Sequence, residues 1–128
     1  MSEMSNYLEN ALVNVTLRGT AFTAISTPYV ALFTSDPTDA GSGTEVTGGS
    51  YTRQSATFGA PSNGASVTTA DITYPTATAS WGTIGWIGIY DASTGGNLLY
   101  HTPLDVSKAI DSGDIFKITA GNLSVTLA

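Results

Sequence analysis

The sequence predicts a mainly β fold: an antiparallel β-sandwich, jelly-roll-like, with one N-terminal α-helix. Three observations carry this. Short apolar or alternating runs are separated by clusters of Gly, Pro, Asn, Asp and Ser every ~8–12 residues, the punctuation of a sandwich rather than of βαβ units. A single segment, close to the N-terminus, repeats its apolar residues at helical spacing. Both tryptophans and the only histidine fall in residues 77–104, where two apolar runs flank a polar, Gly-bearing turn at 91–96. With 128 residues and neither an internal repeat nor a linker, the chain reads as one domain, 1–128, with the helix over about 6–18 and the sheet over about 28–127.

In the helix, Ser5 or Asn6 offers an N-cap, and Glu9, three residues after Asn6, completes a capping-box-like pattern. Leu8, Ala11, Leu12 and Val15 form one apolar stripe; Arg18 suits the negative helix end and Gly19 a left-handed exit. This stripe is expected to pack on the chain's own sheet, because the polar face lacks the Lys and Arg of a membrane-surface helix. After the polar link 20–27, Pro28 opens a strand over 29–34 that is apolar on both faces and hence internal. Residues 35–49 form a loop of a length that is usually functional or mobile. Residues 51–58 alternate as a half-exposed strand, followed by a turn at 59–64 and short strands around 66–68 and 71–74, the last stopped by Pro75.

The central stretch reads as a β-hairpin. At a strict period of two, Ile84, Trp86 and Tyr90 share one face with Gly88, while Ile87 and Ile89 occupy the other; both faces are apolar, so the hairpin is internal. Gly82, Gly85 and Gly88 would weaken an isolated strand, and are read as room beside the indoles or as a bulge. A core centred on Leu32, Phe33, Trp81, Ile84, Trp86 and Leu99 follows. Strands at 106–110 and 115–118, with a turn at 111–114, then a turn at 120–122 and a last strand with Leu123, Val125 and Leu127 on one face, complete the sandwich.

Composition excludes several functions. The absence of cysteine removes disulfide and thiolate-metal frameworks. No apolar run reaches the ~20 residues of a membrane span, and the first five residues lack the features of a secretory signal, so no membrane partner and synthesis in a cytoplasm are expected. A net charge of −6 argues against nucleic acid as a partner. Only 11% of residues are charged, against about 25% typically, so neutral side chains must cover the surface. That suits extensive contact with other protein, and equally a Thr-rich β-domain with hydroxyls on its exposed faces.

No constellation for catalysis emerges. His101 is the sole imidazole; no serine lies in a Gly-x-Ser-x-Gly elbow; Gly41-Ser42-Gly43 lacks the following helix of a phosphate loop. His101, beside a tyrosine and before Thr-Pro, reads as a strand-end residue with a satisfied hydrogen bond. Asp36, Asp39 and Glu45 offer hard oxygen ligands, but without the alternation of an EF-hand, and they read as turn and loop residues. The expectation is a non-enzymatic protein without metal or cofactor.

A resemblance extends over almost the whole chain. Tyr7-Leu8-Glu9-Asn10-Ala11-Leu12, Tyr29-Val30-Ala31-Leu32-Phe33-Thr34, Gly48-Gly49-Ser50-Tyr51-Thr52-Arg53-Gln54, Phe58-Gly59-Ala60, Tyr74-Pro75-Thr76-Ala77, Trp81-Gly82-Thr83-Ile84 and the run from Tyr90 through Asp91-Ala92-Ser93-Thr94-Gly95-Gly96 to Tyr100 resemble small structural proteins of tailed bacteriophages and prophages. The resemblance implies a virion component with no catalytic residues. It leaves two placements open, the first preferred because the chain shows no repeated shaft, coiled coil or collagen-like tract. One is a decoration or cement protein outside the capsid, partnered by the major capsid protein and by copies of itself as a homotrimer. The other is a tail-fibre or tail-tip component that binds a host receptor, with a glycan as possible ligand. The expected interface residues are Met4 and Tyr7 in the N-terminal segment, Asp36, Asp39 and Glu45 in the long loop, and Tyr51; the first five residues and the loop carry too little apolar content to pack alone, which predicts that neighbouring subunits order them.

Overall fold

The computed structural model describes residues 2–127. Its elements run β1 (Glu3–Met4), α1 (Asn6–Leu17), β2 (Tyr29–Phe33), β3 (Gln54–Ser55), β4 (Ala65–Val67), β5 (Ile72–Thr73), β6 (Gly82–Tyr90), β7 (Leu98–Ile110), β8 (Lys117–Ile118) and β9 (Ser124–Thr126). The β6/β7 hairpin is the centre. Its turn closes because the Asp91 carboxylate accepts the Asn97 backbone N–H (2.7 Å) and side-chain amide (3.0 Å), while Gly95 and Gly96 take φ of 58° and 72°, angles that a Cβ disfavours. β2 pairs with the other edge of β6, β3 follows β2, and β1 pairs with β7, giving the antiparallel order β1-β7-β6-β2-β3.

Two ribbons, β4-β9 and β5-β8, stand apart from this sheet. Ile72, Phe116 and Leu123 from and beside the ribbons, and Leu8 from α1, join Val30, Leu32, Ile84, Ile87 and Ile89 in the main core. Alternate residues of β2 and β6 point the other way, so Ala31, Phe33, Tyr90 and Leu98 form a second, smaller cluster with Trp86 packed against it. The mainly β fold with an N-terminal helix is therefore as expected, but the jelly-roll detail is not: one five-stranded sheet is covered by a helix and two two-stranded ribbons, where a jelly roll has two comparable sheets.

The face assignment in β6 needs correction at one residue. Ile84 pairs opposite Lys108 and Trp86 opposite Pro103, so the ladder slips at Gly85, with residues 104–107 of β7 forming a bulge across from it. That slip turns Ile84 onto the Ile87/Ile89 side and leaves Trp86 half-buried on the smaller cluster. The core indole is Trp81, 4% exposed, whose Nε1–H donates to the Gly49 carbonyl at 2.9 Å. Around it, Tyr74 stacks on Tyr51 (centroids 6.2 Å, planes 8° apart), and Trp81 and Phe116 meet Tyr74 edge-on. Gly88 makes room not for an indole but for Leu98 and Phe33, whose atoms lie 2.9 and 3.0 Å from where a Cβ would sit.

Other elements follow their local chemistry. Ser5 caps α1, its Oγ accepting the Leu8 N–H at 3.2 Å, so Asn6 lies inside the helix and the Asn6/Glu9 capping box does not form. Gly19 leaves the helix at φ 68° as expected, while Val15 of the stripe stays exposed. Residues 51–58 contribute only the two-residue β3, and 106–110 is no separate strand but the end of β7. The long loop is tied down within the chain: Pro37 and Val46 are buried, Val46 N–H donates to Leu32 O at 3.0 Å, and Phe33 bridges Glu45.

Candidate functional site

Two polar clusters collect the charged residues of the loop. In the first, Glu45 receives both Nε–H and Nη2–H of Arg53, each at 2.9 Å, in a bidentate pair whose guanidinium side chain is 8% exposed. Nη1 donates to the carbonyls of Ala92 (3.0 Å) and Gly95 (2.8 Å), and the guanidinium carbon lies 3.8 Å from the Tyr90 ring centroid. Arg53 thus fastens the β6/β7 turn to the loop. Burial works to lower the Arg53 pKa, and the Glu45 carboxylate outweighs it, so the net shift is upward. The Tyr51 hydroxyl donates to Glu45 Oε2 at 2.7 Å and accepts the Leu32 N–H at 3.0 Å. Burial first, and the neighbouring Glu45 second, push its pKa far above the usual tyrosine value.

The second cluster surrounds the histidine. His101 sits on β7 opposite Glu3 of β1 and Gly88 of β6, and its side chain is 5% exposed. Its Nε2 lies 2.8 Å from Asp39 Oδ1 and 3.7 Å from Glu3 Oε2; Asp36 Oδ1 is 4.0 Å from Nδ1 on the other side of the ring. Asp36 also accepts the Thr38 N–H at 2.9 Å, in the Asx turn that its sequence suggests. The Asn6 N–H donates to the Asp39 carbonyl at 2.9 Å, which anchors this corner of the loop to the start of α1. A depression of about 430 Å³ opens onto Glu3, Asp36, Asp39 and His101.

The structure separates the residues expected to form an interface. Met4 is half-buried in β1 and packs against the main core. Tyr7 is 41% exposed, its ring 6.5 Å from that of Phe22. Asp36 and Asp39 are exposed and gather at His101, whereas Glu45 and Tyr51 turn inward to Arg53 and Leu32. The reason offered for those residues, that a neighbouring subunit must order the N-terminal segment and the loop, does not hold: β1 pairs with β7, Ser5 is 1% exposed, and the loop is hydrogen-bonded to its own domain. The loop carboxylates also do not converge as an Asp36/Asp39/Glu45 ligand set, because Arg53 holds Glu45 elsewhere. Two partners were missed by sequence reasoning: Arg53, where a lone basic residue between polar neighbours carries no periodic signal, and Glu3, in a two-residue strand too short to alternate.

A second groove, of about 420 Å³, runs between the start of α1 and the 91–97 turn, with Tyr7, Asn6, Asp39 and Asn97 on its walls and Arg53 and Tyr90 beneath. Among the described residues, no helix is long and apolar enough to cross a membrane.

Comparison with known proteins supplies the class: this is a bacteriophage structural protein, a component of the virion. Residues 3–126 match the profile of the Gp80 family, described as podophage GP4 fiber I protein gp80, and the chain belongs to that family. A search of curated proteins finds no match.

Proposed function

We propose that this protein is a non-enzymatic subunit of a fibre on the tail of a podophage-like virion. The observation that carries the reading is the match to a fibre-protein family along nearly the full chain, residues 3–126. It favours the tail placement over the capsid decoration that the sequence resemblance put first, since the charge-poor surface suits either position equally. Self-association into a small closed oligomer fits a fibre base or shaft, in which many weak neutral contacts add up. A host glycan, the ligand implied by a tail position, would meet the groove beside α1. There Tyr7 offers an exposed aromatic face, and Asn6, Asp39 and Asn97 offer hydrogen-bonding groups.

Gold-labelled antibody against the purified chain, applied to intact virions, tests the placement. Label confined to the tail supports the fibre reading; label spread over the capsid surface returns the protein to the decoration class. A Tyr7→Ala variant that folds and assembles normally should lower adsorption to host cells, and unchanged adsorption would remove the groove from receptor binding.

A further inference from the structure

We infer that Glu3, Asp39 and His101 form a site for a divalent first-row transition ion, and that Asp36 supports it from behind the imidazole. The inference stands on geometry and is independent of the fibre reading. The three donor groups come from β1, the 35–49 loop and β7, and their donor atoms all lie within 4.8 Å of one another. Ligands held at ~2.1 Å around a tetrahedral zinc ion stand about 3.4 Å apart. The distances from His101 Nε2, 2.8 Å to Asp39 and 3.7 Å to Glu3, bracket that spacing, so small side-chain rotations would admit an ion.

Several further observations distinguish this arrangement from acidic residues that merely share a surface. His101 is a buried imidazole in a fixed orientation, with Nε2 turned to the two carboxylates. On the Nδ1 side of the ring the Asp36 carboxylate stands 4.0 Å away, outside hydrogen-bond distance, and its Oδ1 accepts the Thr38 N–H, so it adds negative charge behind the imidazole without hydrogen-bonding to it. The charge count is unbalanced: Glu3, Asp36 and Asp39 face one imidazole, which supplies at most a single positive charge. No Lys or Arg makes an ion pair with these three among the described residues. The depression outside the cluster leaves room for water to complete the coordination shell. One nitrogen with two oxygens selects Zn²⁺ or a similar ion over Ca²⁺, which takes oxygen alone. Bound there, the ion would clasp the N-terminal strand to the loop and to the central hairpin.

The test uses the full chain without a polyhistidine tag, treated with chelator and desalted. Because the chain has a single histidine, its ring ¹⁵N signals report the site without assignment. Titration with ZnCl₂ should move them at a one-to-one ratio and raise the melting temperature by about 4 °C or more at saturating zinc. Glu3 is largely exposed, so Glu3→Gln should fold and melt as the parent does without metal, yet bind zinc at least about tenfold more weakly. Ring signals that do not respond to submillimolar zinc would overturn the site, as would Glu3→Gln binding as tightly as the parent. A response to CaCl₂ that ZnCl₂ fails to give would overturn the nitrogen ligand.

Discussion

At the scale of single residues, the buried tyrosines and the Arg53 clamp set the chain's sensitivities. Tyr51 and Tyr74 are both held protonated by burial, Tyr74 while its hydroxyl donates to the Val30 carbonyl at 2.7 Å, and burial raises Tyr90 and Tyr100 as well. A tyrosine whose folded pKa lies above its unfolded value of about 10 contributes fully below that pH. Above it, the unfolded state loses protons that the folded state keeps, so stability falls as pH rises. Tyr51 and Tyr74 alone should cost roughly 2–3 kcal/mol per pH unit above about pH 10. Urea midpoints measured from pH 8 to 11.5 check this; a flat profile would mean that both hydroxyls ionise freely in the fold. Glu45→Gln leaves a buried guanidinium without its carboxylate and should cost about 2–4 kcal/mol, less than a fully dry pair because Glu45 is partly exposed. Trp81→Ala should cost about 3–5 kcal/mol and Trp86→Ala clearly less, in keeping with one indole inside the core and one at its margin. Equal urea midpoints for the two variants would reject that assignment.

At the scale of elements, legibility tracked length and periodicity. The helix, the internal strand at 29–33 and the hairpin around 91–97 were readable, because each has either a full apolar pattern or a turn whose chemistry is local. Of the two-residue strands, β3, β5 and β8 fall inside the strands expected at 51–58, 71–74 and 115–118, but β1 was not readable: it exists because β7 offers it an edge, and no pattern inside Glu3–Met4 records that. The Gly85 slip defeated the period of two in the same way, since the cause lies in the bulge of residues 104–107 across the ladder. The polar composition of the loop predicts that it needs a neighbour, yet polar side chains are what stitch it down, through Arg53, Tyr51 and His101. Within the candidate site, His101 and Asp39 were visible as isolated residues, but their meeting depends on register and loop path. The N-terminal segment carries an element-scale prediction. Ser5 caps α1 and also hydrogen-bonds the Leu98 carbonyl, so Ser5→Ala should cost about 2 kcal/mol by chemical denaturation. A cost below about 0.5 kcal/mol would show that the cap and the strap are both dispensable. Deleting residues 1–5 would therefore destabilise the domain itself, and any loss of assembly in that truncation must be read against Ser5→Ala.

At the scale of the whole molecule, a small sheet with two covered faces and few charges presents loops and hydroxyls to its surroundings, a surface suited to repeated neutral contacts. Assembly driven that way should weaken only modestly as salt rises from 50 to 500 mM, in contrast to a charge-steered complex. Sedimentation of the purified chain at both ionic strengths checks this, and dissociation by salt alone would assign the contacts to ion pairs. The proposed fibre role puts the protein on the tail and not on the capsid. Quantitative mass spectrometry of purified virions, with the major capsid protein as internal standard, tests this most directly. A tail-fibre subunit should be present at a small fraction of the major capsid copy number, and a copy number approaching that of the capsid subunit would contradict the fibre assignment.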